Sequence, residues 1–556
     1  MKFRFIMLVL GSTLGFGVLV FNLYHLQIAE GGLYAAKAES QYRLAGFFEP
    51  ERGSIYFTDK NGNRIPAVLN KDYPVIFAAP KQISDPKATA QAIAGMLRLD
   101  EETVRRKLAK PGDAYELLAT KVSDAVVEQM NSMDLEGVYV EREQFRFYPF
   151  GKLASHVLGF VGPSDRDEEI KGRYGIERAY DGYLRGKIIE GSDGRFSDRE
   201  NGEDFVLTID RNIQAQAEEL IEKLAVDHRA AGGSVIVEEP ATGKILALAN
   251  YPTFDPNAYG ESPVSSFLNP AVESIYEPGS VFKVFTMAAG IDSGSITPET
   301  TFTDTGSLTM NGRTIRNASD KVYGTVTMMQ VIENSINTGA AFAARTTGRE
   351  TFYRYLELFG FDEKTGLELP GEIRGQLANL GEHAREINLA TASFGQGVAV
   401  TPLQLIAAVS ALANHGVLMK PYLVEGDGPT VVRAVVSRET ASKVTRMMIS
   451  AVRKANVADI PNYTVAGKTG TAQVPDFKRG GYTDAYIHNY VGFVPASEPR
   501  FVILIKLDEP VGPPLAALTV VPAFRELAQF ILNYLNIPPD DLTAPAHDTS
   551  TGVPTP

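Results

Sequence analysis

From Phe5 to about Leu26 the chain is apolar except for Ser12, Thr13, Asn22 and His25, a run long enough to cross a bilayer as one helix. Lys2 and Arg4 precede it and stay on the cytoplasmic side under the positive-inside rule, so everything after Tyr24 is expected outside. Small residues follow in Ala35-Ala36-Lys37-Ala38, but the run is longer than the apolar core of a cleaved signal, and an uncleaved single-pass anchor is the expectation. No second span is expected, because later apolar runs such as Phe501-Val-Ile-Leu-Ile505 have strand length.

Composition agrees with that placement. None of the 556 residues is cysteine, which excludes a disulfide framework and a thiolate metal site and is compatible with an oxidising compartment. The seven histidines are scattered without ligand spacing, so neither a metal nor another cofactor is expected. A net charge of −13 and a pI near 5.2 argue against nucleic acid as a partner. With 44% apolar residues the chain is globular, and its length corresponds to roughly three or four units.

Past the anchor the pattern divides in two. Residues 41 to about 202 read as short strands and turns, and Asn61-Gly62 signals a tight hairpin. Gly62 falls two places too early for a calcium loop beginning at Asp59. From Phe205 the string Val206-Leu-Thr-Ile-Asp210 leads into a helical stretch over 214–224. Gly233-Ser-Val-Ile-Val237 and Lys244-Ile-Leu-Ala-Leu-Ala249 then read as strands paired around Pro240-Ala-Thr-Gly243. Tyr490-Val-Gly-Phe-Val494 and Phe501-Val-Ile-Leu-Ile-Lys-Leu507 are further strands, and Phe524, Leu527, Ala528, Ile531, Leu532 and Leu535 keep helical spacing. The expectation is an α+β chain, with an antiparallel sheet flanked by helices in its larger domain. Its divisions are a stub and anchor over 1–28, a β-rich module over 29–204, a second domain over 205–536 and a disordered tail over 537–556, rich in Pro, Thr, Ala and Asp.

Three short motifs carry the candidate chemistry: Ser280-Val-Phe-Lys283, Ser335-Ile-Asn337 and Lys468-Thr469-Gly470. Glu277-Pro278-Gly279 can open a helix that continues through Val281-Phe-Lys-Val-Phe-Thr-Met-Ala-Ala289, which places Ser280 near its positive end and Lys283 on the same face. An amine beside apolar or cationic groups loses its proton more easily and can then deprotonate the hydroxyl. Tyr463-Thr-Val-Ala-Gly-Lys-Thr-Gly-Thr-Ala-Gln473 reads as a strand whose small residues admit another backbone, so an extended peptide can add to it. Lys468, Thr469 and Thr471 would offer charge and hydroxyls to a peptide carboxylate. A phosphate-loop reading of Gly467-Lys468-Thr469 fails, since Asn462 stands where that pattern needs glycine. Ser335 and Asn337 fall at a helix end or loop, where ordinary capping is the simpler role for either alone.

Each motif alone is weak. Ser84-Asp-Pro-Lys87 fits the first pattern, but Pro86 disfavours a helical turn across it; Lys364-Thr-Gly366 fits the third but sits in a charged turn soon after Ser335.

In their order, the three motifs match the set Ser-x-x-Lys, Ser-x-Asn, Lys-Thr-Gly of penicillin-binding proteins and serine β-lactamases. Arg52-Gly-Ser-Ile55, Tyr174-Gly-Ile-Glu177-Arg-Ala-Tyr180-Asp181 and Leu184-Arg-Gly186 are similar to the non-catalytic pedestal of class B penicillin-binding proteins, the monofunctional peptidoglycan D,D-transpeptidases of the bacterial cell membrane. Within that pedestal Arg52 and Glu177 are read as fold-holding charges. The resemblance covers nearly the whole chain after the anchor. It implies that Ser280 attacks a D-Ala-D-Ala stem peptide with Lys283 as base and Ser335 as proton shuttle. It also implies that Asn337, Lys468, Thr469, Gly470 and Thr471 bind substrate and that the backbone N–H groups of Ser280 and Thr471 form the oxyanion hole. β-Lactams would acylate the same serine, and a polytopic glycan polymerase and other wall-synthesis proteins would be partners. Ile336 replaces the aspartate that β-lactamases favour in the middle motif, which supports a transferase.

A β-lactam-hydrolysing enzyme is opposed by the pedestal, the anchor and the length. A penicillin sensor is opposed by the few residues ahead of the anchor, and a non-catalytic scaffold remains compatible with the same pattern. Division and elongation enzymes of the family share these motifs.

Overall fold

The computed structural model describes residues 50–541 apart from 114, 165–168, 191–195, 427 and 477–478, and before them residues 7, 11, 13, 15–21 and 24. The expected anchor lies partly outside the described residues; 15–21 are helical, and no described helix is long and apolar enough to cross a membrane.

Two compact units account for the chain: Met1–Gly53, Asn70–Arg146 and Gly182–Glu203 form the smaller, and Ser54–Leu69, Phe147–Asp181 and Asp204–Pro556 the larger. A single break near 204 is therefore not what the contacts show. Ile55–Thr58 belongs with the larger unit because it runs parallel to Phe205–Asp210. It also forms the expected hairpin, pairing Ile55 with Val68 and Phe57 with Ile65, while Asp59 accepts the amides of Asn61 at 2.8 Å and Asn63 at 2.9 Å and Gly62 takes φ +76°.

The smaller unit corrects the β-rich expectation. It holds helices Pro86–Leu97, Glu101–Leu108 and Asp124–Met133 beside its strands. Each helix begins on a capping side chain: Asp85 accepts from Lys87 N and Ala88 N, Asp100 from Thr103 N, and Ser123 from Val126 N. Their inward residues Ala90, Ile93, Ala94, Val104, Leu108 and Met130 build a core with Ile76 and Leu118. Ser84 is exposed and outside the helix that Pro86 opens, so it cannot face Lys87 as Ser280 faces Lys283.

In the larger unit we label the elements that position the site. They are α1 (Arg211–Asp227), β1 (Gly232–Glu239), β2 (Lys244–Tyr251), α2 (Lys283–Asp292), α3 (Met328–Glu333), α4 (Asn337–Thr347), α5 (Pro402–Ala413), β3 (Ala466–Pro475), β4 (Tyr482–Val494), β5 (Phe501–Asp508) and α6 (Val520–Tyr534). The strands form one antiparallel sheet in the order β2-β1-β5-β4-β3, so β3, which carries Lys468-Thr-Gly470, lies at an edge. On one face α1 and α6 bury Ile213, Leu220, Phe524, Leu527 and Ile531 against Val235, Val237, Tyr490, Ile503 and Ile505. The helices α2 and α5 are buried along almost their whole length, the pattern of helices enclosed on all sides. Glu177, in the same unit, is fully buried and accepts from the Tyr148 hydroxyl at 3.5 Å, which fits a fold-holding role.

Residues 537–541 are not a free tail. Ile537 is buried and its carbonyl accepts from the Tyr463 hydroxyl at 2.6 Å, Asp540 accepts Thr464 N at 2.7 Å, and Asp541 meets Arg453 at 3.0 Å. The rest of that expected segment, 542–556, lies outside the described residues.

Glu238 on β1 is wholly enclosed, and burial pushes its carboxyl up to about 8. The folded chain therefore holds a proton that the unfolded chain releases near 4.5. Stability should fall as pH rises from about 4.5 towards 8, by up to about 1.4 kcal/mol per pH unit from this group. Denaturant midpoints of the parent and Glu238→Gln, taken at several pH values across that window, should show the slope reduced in the variant.

Candidate active site

The first motif is built on a tight turn. Pro278 leads into a 3₁₀ turn, Gly279–Phe282, that runs directly into α2, and Gly279 takes φ +58°. One turn of helix separates Ser280 from Lys283, and the Lys283 Nζ lies 2.9 Å from the Ser280 Oγ. The spacing of the motif thus does what the sequence requires of it.

The middle motif sits where α3 ends and α4 begins. Ser335 has φ +55°, a left-handed conformation disfavoured for a residue with a side chain, and Ile336 N closes the corner onto Val331 O at 2.9 Å. This turn aims three oxygens at one amine: Lys283 Nζ lies 2.6 Å from Ser335 O, 3.1 Å from Ser335 Oγ and 2.8 Å from Asn337 Oδ1. Asn337 is held from its other end, where Nδ2 donates to Arg316 O at 2.9 Å.

The third motif completes the cluster. Lys468 Nζ donates to Ser335 Oγ at 3.1 Å and to Thr469 O at 3.1 Å, with Thr469 Oγ1 at 3.4 Å. Ser335 Oγ therefore lies within hydrogen-bond distance of both lysines. Thr471 Oγ1 accepts from Ala516 N at 3.2 Å, which leaves its proton to donate elsewhere. A Cβ added at Gly279 would lie 3.1 Å from Thr471 O, so the backbones flanking Ser280 and Thr471 are in contact. The structure thus brings Ser280, Lys283, Ser335, Asn337 and Lys468 into one hydrogen-bonded cluster, with Thr469 beside Lys468, and Gly470 and Thr471 on the strand against the Ser280 turn.

Electrostatics set the state of the two amines. Lys283 is fully buried, and burial first, then the neighbouring charge of Lys468, lowers its pKa well below the ordinary lysine value. Burial lowers Lys468 to about 8, so near neutral pH it is still mostly charged. A neutral Lys283 has two protons and one lone pair. Ser335 O and Asn337 Oδ1 can only accept, so they take the two protons, and the lone pair is left to the hydroxyls in reach, Ser280 Oγ at 2.9 Å and Ser335 Oγ at 3.1 Å.

Sequence reading missed the parts that hold this cluster. Asn489 on β4 is fully buried and donates from Nδ2 to Pro278 O at 3.2 Å, tying the Ser280 turn to the sheet. Glu277 accepts from Gly397 N at 2.8 Å and from the Tyr482 hydroxyl at 3.0 Å, so a loop and β4 both close on the residue ahead of Pro278. Neither has a spacing signature; each is set by a pairing more than a hundred residues away. Lys364-Thr-Gly366 remains a loop, with Thr365 bound to Glu372.

Comparison with known proteins identifies the family. Residues 233–523 match the penicillin binding protein transpeptidase domain, and residues 48–193 match the penicillin-binding protein dimerisation domain. Stage V sporulation protein D of Bacillus subtilis is 32% identical over 530 residues, covering 89% of this chain and 81% of that protein. Peptidoglycan D,D-transpeptidase FtsI of Escherichia coli is 26% identical over 98% of this chain and 93% of its own. Among solved structures, penicillin binding protein 3 of Mycobacterium tuberculosis in complex with aztreonam superposes with a TM-score of 0.67 at 27% identity, over 88% of this chain and 98% of that one. The chain belongs to the penicillin-binding protein transpeptidase family, and the dimerisation module ahead of the transpeptidase domain makes it a class B member.

Gly470 is the glycine of the third motif because a Cβ there would lie 2.5 Å from Asn489 Oδ1 and 2.6 Å from Pro278 O. Gly470→Ala should push β3 away from the Ser280 turn and slow acylation by a labelled penicillin by about 10²-fold. The thermal transition of the same preparation would separate this from a loss of fold.

Proposed function

We propose that this chain is a peptidoglycan D,D-transpeptidase of bacterial cell-wall synthesis, cross-linking stem peptides through an acyl-enzyme on Ser280 and blocked covalently there by β-lactams. The observation that carries it is the Lys283 amine, buried and 2.9 Å from the Ser280 hydroxyl, with the acceptors Ser335 O and Asn337 Oδ1 placed to take its protons. Relatives named as D,D-transpeptidases and a relative's structure with aztreonam support the substrate and inhibitor classes.

In the first step Lys283 takes the Ser280 proton as Oγ attacks the carbonyl carbon of the penultimate D-Ala. The backbone N–H groups of Ser280 and Thr471 receive the negative oxygen of the tetrahedral intermediate. Lys283 then returns a proton through Ser335, whose hydroxyl lies 3.1 Å from each lysine, to the departing D-Ala amine. An amine of a second stem peptide attacks the ester carbonyl, the ester bond breaks, and the proton of that amine returns to Ser280 by the same groups. Lys468, Thr469 and Thr471 line the edge of β3, where the peptide adds as an extended strand with its carboxylate facing the charge. Asn337 serves first to hold Lys283, with the peptide amide as its second partner. This reading includes an N-terminal anchor in the cell membrane, an extracytoplasmic catalytic domain, and a polytopic glycan polymerase as partner.

A fluorescent penicillin should label the chain stoichiometrically, and Ser280→Ala should abolish labelling while Ser84→Ala and Lys364→Ala label as the parent does. Labelling lost in either of those two controls and kept in Ser280→Ala would overturn the assignment. Lys283→Ala should slow acylation by about 10²–10⁴-fold. Because Lys468 loses its charge above about pH 8, the acylation rate should decline on that side of the profile. Lys468→Arg, which stays charged, should extend the plateau to higher pH from a lower maximum.

A further inference from the structure

Behind the middle motif stands a buried polar network that the reaction itself does not use. Asp304, Asn317 and Thr338 are all enclosed, at 2%, 4% and 3% exposure. The Asp304 carboxylate accepts from Thr338 Oγ1 at 2.6 Å, Gly306 N at 3.0 Å, Tyr323 N at 2.8 Å, and Asn317 Nδ2 at 3.0 and 2.9 Å to its two oxygens. Asn317 in turn accepts Thr338 N at 3.2 Å on its Oδ1. Burial pushes the Asp304 carboxyl up, but the hydrogen bonds from Thr338, Gly306, Tyr323 and Asn317 outweigh it and hold the group below its ordinary value, so it is a carboxylate at any working pH.

The consequence falls on Asn337. Arg316 and Asn317 are consecutive, and so are Asn337 and Thr338. Asp304 and Thr338 clamp Asn317, which fixes the Arg316 carbonyl beside it, and that carbonyl accepts Asn337 Nδ2 at 2.9 Å. With its NH₂ end so taken, the Asn337 amide presents Oδ1 to Lys283 at 2.8 Å. A flipped amide would face the Lys283 amine with its own donors, donor against donor, and would free a Lys283 proton to turn its lone pair away from Ser280.

We propose that Asp304 is a positioning residue for acyl transfer, acting through Asn317 and the Arg316 carbonyl to fix the orientation of the Asn337 amide and hence the direction of the Lys283 lone pair. The inference rests on the assignment of Ser280 and Lys283 as nucleophile and base. It differs from a merely structural role in one respect: its effect must pass through Asn337.

The test is a double-mutant cycle on the purified full chain, reading the first-order acylation rate by a fluorescent penicillin separately from its non-covalent affinity. Asp304→Asn should lower the acylation rate by about 10²-fold with little change in non-covalent affinity. In an Asn337→Ala background, where the amide no longer exists to be oriented, the same substitution should cost less than about 3-fold. Equal losses in both backgrounds, or a parent-like rate in Asp304→Asn, would overturn the proposal. Thr338→Val removes one hydroxyl from the network with almost no change of shape, and gives the same cycle if Asp304→Asn fails to reach the parent's thermal transition. A parent chain that takes up no penicillin would instead refute the assignment of Ser280, so the two failures are distinguishable.

Discussion

A lysine amine that is wholly enclosed, with four oxygens and a second lysine around it, has two ways to exist: charged at a large cost in desolvation, or neutral with a directed lone pair. The environment of Lys283 favours the second. Two of the oxygens are carbonyls that can only accept, so the orientation of the neutral amine follows from them. The rest of the larger unit can be understood as what is needed to keep that amine dry and those oxygens still. The enclosed helix α2 supplies the lysine, the left-handed corner at Ser335 supplies one carbonyl, and the start of α4 supplies the other.

Bringing the third motif to this point demands close backbone approach. An edge strand can lie against the Ser280 turn only where side chains are absent, and Gly279 and Gly470 are the two positions at which an added Cβ would meet the opposing backbone. Asn489 fills the gap between them and bonds to Pro278. An open edge on β3 is normally a liability for aggregation, but here it is the surface a peptide strand would extend.

The cluster of the three motifs was legible in the sequence because each motif is local. Ser280 and Lys283 meet within one helical turn, Ser335 and Asn337 flank one corner, and Lys468 to Thr471 lie on one strand. The five strands of the main sheet and the helices Arg211–Asp227, Lys283–Asp292 and Val520–Tyr534 were legible from periodicity and turn residues, whereas Pro402–Ala413 and Arg438–Ala455 were not. What holds the motifs in place was not. Asn489 reaches Pro278, and Glu277 reaches Gly397 and Tyr482, across separations that no spacing rule encodes. The helices of the smaller unit are a different case. Their caps at Asp85, Asp100 and Ser123 were present as signals, but short amphipathic segments between strands of similar length do not separate by periodicity alone. Residues 537–541 show the converse, where a composition typical of disorder is overridden by Ile537 entering the core and Asp540 binding Thr464.

The central claim is the protonation state of one amine, and it is open to direct observation. In a chain labelled with ¹³Cε-lysine, the Lys283 resonance can be assigned by its loss in Lys283→Ala and followed through a pH titration by NMR. The buried environment predicts that this resonance titrates well below the ordinary lysine value. A Lys283 resonance that titrates at the ordinary lysine value, 10.5, would contradict it and the proposed role of Lys283 as base for Ser280.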